Sequence, residues 1–108
     1  SCDGLAAPKN TLCRAVLKCM HEKKCAGTAA TDCLCGTGRD PNDCFTGTVA
    51  AATGPCKAEV IAAAETMESS ATVMTDLQNR FFDTTYGIGA AAAVIETCDQ
   101  FFCKAECL

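Results

Sequence analysis

Apolar residues recur at helical spacing through four stretches of this chain and lose that rhythm in a fifth. Leu12, Val16, Leu17 and Met20 fall on one face of a helix predicted over Thr11 to Lys24. Asn10 suits its N-cap, Pro8 ends the preceding arm, and Gly27 suits a C-terminal stop. A second helix is predicted from Pro55, with proline at the first helical position, to Glu68, with Val60, Ile61, Ala64 and Met67 inward. A third covers Ala71 to Phe82 and turns Val73, Met74, Leu77 and Phe81 to the core. The fourth runs from Thr85 to Cys98 through an alanine-rich centre, with Gly87 and Gly89 near its start allowing another backbone close. A last turn or short helix is expected over Asp99 to Cys107, with Phe101 and Phe102 as its apolar bulk. It would place Cys103 and Cys107 one turn apart on one face.

Between Ala26 and Pro55 the pattern breaks. Gly36-Thr37-Gly38, Asp40-Pro41-Asn42-Asp43 and Thr46-Gly47 are turn chemistry. One or two short helical turns are expected there, held by cross-links rather than by packing.

The cross-links come from eleven cysteines in 108 residues: Cys2, Cys13, Cys19, Cys25, Cys33, Cys35, Cys44, Cys56, Cys98, Cys103 and Cys107. Such density in a short chain marks a disulfide scaffold made in an oxidising compartment. Cys13, Cys19 and Cys25 are spaced every six residues, stepping by ~120° around a helix, so the first helix is stapled on several sides. Cys33 and Cys35 are too close in sequence to bond each other and each pairs elsewhere. The rest of the pairing is open, since eleven cysteines allow on the order of 10,000 choices of five bonds. An odd count leaves one sulfur over. Cys2, on a terminal arm, is the expected odd one.

Fold class follows: an all-α, disulfide-rich bundle of four or five short helices with an irregular cross-linked segment, one domain over residues 1–108. Apolar residues make up 49% of the chain, but alanine and cysteine supply much of that, with no Trp and a single Tyr. A core of small side chains releases little transfer energy, and bridges compensate.

Charge narrows the function classes. The net charge of −4 does not suit nucleic acid. Lys9, Arg14, Lys18, Lys23 and Lys24 gather near the start and read as a solvated face of the first helix. No uncharged run reaches the roughly 20 residues of a bilayer span. The opening Ser-Cys-Asp-Gly reads as an already processed start, with Ser1 ahead of Cys2 arguing against a lipid-modified cysteine. The expected location is outside the cell, at its surface or in a periplasm.

Candidate chemistry is sparse. No Cys-x-x-Cys occurs and His21 is the one histidine, so neither a metal nor another cofactor is expected. A His21–Cys25 nucleophile is weaker than a bridged Cys25 beside a solvated histidine. Glu65 with Glu68, and Asp40 with Asp43, read as an exposed helix face and as turn capping. No catalytic residue is assigned, and the chain is read as no enzyme. Ala90, Ala91 and Val94 form the candidate self-contact, because an alanine face lets helices approach closely.

The cysteine run from Cys13 to Cys25, the words Asp32-Cys33-Leu34-Cys35-Gly36 and Gly54-Pro55-Cys56-Lys57-Ala58-Glu59, and Cys98-Asp99-Gln100 ahead of Cys103 and Cys107 make the chain resemble small uncharacterised cysteine-rich exported proteins of Deltaproteobacteria such as myxobacteria. The resemblance implies export and disulfides and carries no activity. The function expected is a secreted or cell-surface structural or interaction protein, a self-assembling filament or surface-layer subunit with itself as partner. The alternative is a binding module for a lipid or other hydrophobic ligand, with Phe81, Phe82, Ile88, Ile95, Phe101 and Phe102 as lining.

Overall fold

The computed structural model describes residues 1–27 and 29–101, with side chains through residue 97. Six helices follow one another among the described residues: α1 (Lys9–Lys23), α2 (Asp32–Cys35), α3 (Pro41–Thr46), α4 (Lys57–Ala63), α5 (Val73–Phe81) and α6 (Gly87–Phe101). Short 3-10 turns cover Cys2–Gly4 and Val49–Ala51, and no strand occurs among the described residues. The all-α, disulfide-rich class expected from sequence is the class observed.

Helix α1 starts two residues before its expected first residue, and Asn10 lies inside it, its carboxamide accepting from the Thr11 amide at 2.8 Å. It ends at Lys23, and Lys24 takes the left-handed conformation (φ 51°) three residues short of Gly27. Val16 and Met20 are fully buried, with Leu12 and Leu17 packed at the edge of the same core. Helix α6 lies against α1 and α4. Gly87 makes that approach possible: a Cβ there would meet the Cys13 amide nitrogen and the Lys9 carbonyl, each at 3.0 Å.

The second predicted helix is the main correction. Pro55 precedes the helix rather than opening it, and α4 stops at Ala63 instead of Glu68. Glu65 turns left-handed (φ 55°). The Arg80 guanidinium of α5 donates to the carbonyls of Ala64 and Glu65 at 2.9 and 3.1 Å. The Glu65 carboxylate pairs with Lys9 of α1. These tertiary bonds outweigh a local preference worth only tenths of a kcal/mol per residue. Met67, expected inward, is consequently 67% exposed.

Helix α5 matches its prediction closely, burying Val73, Met74, Leu77 and Phe81. Phe81 meets Phe45 of α3 edge-on at 6.2 Å between ring centres, joining the irregular segment to this layer. Helix α6 continues through Asp99 to Phe101, past its expected end at Cys98. The expected turn holding Phe102, Cys103 and Cys107 lies outside the described residues.

Candidate functional site

Four bridges organise the first half of the chain: Cys2–Cys13, Cys19–Cys56, Cys25–Cys33 and Cys35–Cys44. Each depends on local structure that the sequence encodes. Cys2 sits on a 3-10 turn that Ser1 caps by accepting from the Asp3 amide. Asp40 caps α3 by accepting from the amides of Asn42 and Asp43, which orients Cys44 toward Cys35. Cys33 and Cys35 each bond elsewhere, as expected. The three cysteines spaced every six residues reach three separate partners: Cys13 the N-terminal arm, Cys19 the N-cap of α4, and Cys25 helix α2.

Cys2 is therefore not the odd sulfur. Its 3-10 turn holds it beside α1, with Arg14 paired to Asp3 at 2.9 Å. The bridges use all eight cysteines up to Cys56, so the remaining three are Cys98, Cys103 and Cys107. Three sulfurs cannot all pair with one another. Sequence reasoning could have found this signal by setting the even count before residue 57 against the odd count after it.

The expected self-contact is also revised. Ala90 and Ala91 are buried within the chain and Val94 is half-buried. The alanine face is taken up by packing inside the fold rather than offered to a neighbour.

The polar groups weighed from sequence have structural partners. Cys25 is bridged, so the His21–Cys25 pair holds no thiol. Glu68 pairs with Lys57 at 3.0 Å and Glu65 with Lys9. The Lys9 ammonium and the Arg80 guanidinium lie 4.1 and 4.8 Å from the centre of the Tyr86 ring. The carboxyl of Asp83 is held below its ordinary value because it accepts from the Thr85 hydroxyl and then from the Thr85 amide. Sequence reasoning missed Asp32, buried in α2 beside Cys33.

Among the described residues, two features remain open to chemistry. A half-open groove of about 200 Å³ is lined by Phe81, Phe82, Thr84, Gly89, Ala92, Ala93 and Glu96, with Phe82 70% exposed. Ile88 and Ile95, expected in a cavity wall, are buried in the core instead. The other is a sulfur cluster in which the Cys25, Cys33 and Cys56 sulfurs lie within 4.8 Å of one another. No described helix is long and apolar enough to cross a membrane.

The chain matches no protein-family model, no curated protein and no solved structure.

Proposed function

We propose that this chain is a non-enzymatic secreted or cell-surface structural or interaction protein that assembles with its own copies, as a filament or surface-layer subunit. The observation that carries the reading is the separation of its cysteines. Eight are consumed by four bridges inside residues 2–56, and an odd set of three follows on and after α6. A bridged body resists denaturation and proteolysis, because restricting the unfolded chain costs that state entropy. An odd sulfur after those bridges in sequence can join the chain covalently to a second copy. The contact is assigned to the end of the chain carrying Cys98, Cys103 and Cys107, since Ala90 and Ala91 lie inside. A head-to-tail contact that fails to close grows into a filament.

The test is the intact mass of the unreduced protein at high concentration. A covalent dimer or ladder that collapses on reduction, and that disappears on Cys98→Ala/Cys103→Ala/Cys107→Ala replacement, is the expected result. A strict monomer under the same conditions overturns the reading.

The exposed Phe82 beside its groove favours a second reading, binding of a hydrophobic ligand. The groove falls below the roughly 300 Å³ at which pockets begin to enclose drug-sized ligands. It suits the edge of an apolar group more than a whole lipid. Lipid retained in native mass spectrometry, and lost on Phe82→Ser replacement, would promote this reading above the first.

A further inference from the structure

We propose that the four cysteines of two touching bridges, Cys19, Cys25, Cys33 and Cys56, form a tetrahedral thiolate site for Zn²⁺ or Cd²⁺ when those bridges are reduced. The Cys25 and Cys56 sulfurs, which belong to different bridges, lie 3.8 Å apart. Cys33 lies within 4.8 Å of both, and Cys19 is bonded to Cys56. All four side chains are buried, between 0 and 8% exposed.

The spacing is what a metal requires. Four sulfurs about 2.3 Å from a tetrahedral zinc stand about 3.8 Å from one another. The Cys25–Cys56 pair already has that separation. Each bonded pair must open by about 1.8 Å, which cysteine side-chain rotation supplies. Direct exchange between the two bridges fits less well. A sulfur of Cys56 in line with the Cys25–Cys33 bond would stand about 5.8 Å from Cys33. The observed limit of 4.8 Å makes the three sulfurs a triangle around a common centre.

Three of the four ligand segments, those of Cys19, Cys33 and Cys56, are held together without sulfur. The Cys56 amide donates to the Cys33 carbonyl at 2.9 Å, and the Gly54 amide to the Leu34 carbonyl at 2.8 Å. Only a glycine permits this approach, because a Cβ on Gly54 would collide with the Cys33 carbonyl. Cys19 is carried by α1, which packs on α4.

The chemistry balances with an external dithiol as reductant. Each bridge gains two electrons and two protons from one dithiol, which closes to its own disulfide. The four thiols then release four protons as the ion binds. The same four residues thus serve as bridges in an oxidising compartment and as a metal centre in a reducing one. The other two bridges lie outside this cluster.

The experiment reduces the whole chain with a dithiol, removes the reductant without air, and titrates Co²⁺, then Zn²⁺. One ion per chain is expected, with the absorption of tetrahedral cobalt–thiolate, helical circular dichroism rising with bound metal, and four sulfurs at about 2.3 Å from zinc by X-ray absorption. Cys25→Ala/Cys56→Ala should weaken binding by more than the roughly 10–100-fold that an outer-shell change costs. Cys2→Ala/Cys13→Ala and Cys98→Ala/Cys103→Ala/Cys107→Ala should each retain it. Absence of the tetrahedral cobalt signal in the reduced wild type overturns the proposal. So does undiminished binding by Cys25→Ala/Cys56→Ala, or a signal that the change at Cys98, Cys103 and Cys107 removes. The cobalt spectrum reads the number of thiolate ligands, and the comparison of the three variants says which cysteines supply them.

Discussion

Residues 2–56 and 57–97 reach order by different physical routes. The first region carries four bridges, and α2 and α3 are only four and six residues long. Helices of that length do not persist alone, since nucleation costs more than one or two turns return. Three of their six buried side chains are bridged cysteines, Cys33, Cys35 and Cys44, beside Asp32, Leu34 and Phe45. The second region has no cysteine and is held by Val60, Ile61, Val73, Leu77, Phe81 and Ile88 in a shared core, with Arg80, Lys9 and Tyr86 fastening its turns. The first region also buries Val16, Met20, Leu34 and Phe45, but its short helices and loops carry the bridges, whereas the longer helices of the second are held without any. The packing of α4 and α6 on α1 joins the two regions, with Cys19–Cys56 fixing the N-cap of α4 at their boundary.

The largest expected effect tests the cross-linked side. Cys19→Ala/Cys56→Ala opens a loop of 37 residues and should cost about 4 kcal/mol, whereas Cys35→Ala/Cys44→Ala opens one of 9 and should cost about 2.5 kcal/mol. Guanidinium unfolding measures both, and equal losses would break the loop-entropy account of this region. Next comes the packed side. Leu77→Ala leaves a cavity at a fully buried site and should cost about 3 kcal/mol with all bridges intact. A loss below about 1 kcal/mol would mean that the bridges carry this half as well.

Arg80→Ala is smaller and local. It removes two hydrogen bonds to the end of α4 and a cation beside Tyr86, for about 1–2 kcal/mol. Hydrogen exchange should report loss of protection around residues 64–66 before α5 is affected. The smallest effect is electrostatic. The folded carboxyl of Asp83 titrates below its ordinary value of 3.8, so its contribution is complete above that pH and fades as pH falls through the lowered folded value. Thermal melts between neutral pH and pH 2.5 should show Asp83→Asn losing less stability on acidification than the wild type. An identical acid dependence would remove Asp83 from the account.

Particular residues show how far the sequence could be read. Val73, Met74, Leu77 and Phe81 recur at helical spacing in a stretch with no competing turn signal, and α5 follows them. Ala64 and Met67 also continue a helical rhythm, but Arg80, sixteen residues beyond Ala64 in sequence, holds the carbonyls that would have extended α4. No local pattern encodes that bond. The same holds for the sulfurs. Odd against even counts either side of residue 57 were present in the chain, yet Cys2 found Cys13 only through the 3-10 turn that lays the arm on α1.

By itself the sequence determined the class of molecule: helical, small in its core, and dependent on disulfides. Composition and periodicity are sums over local preferences, and those are legible one residue at a time. Tertiary structure alone decided which cysteine meets which, where α4 stops, that the alanine face turns inward, and that two bridges touch. Each of these depends on groups distant in sequence being brought within a few ångströms, an outcome set by the packing of the whole chain.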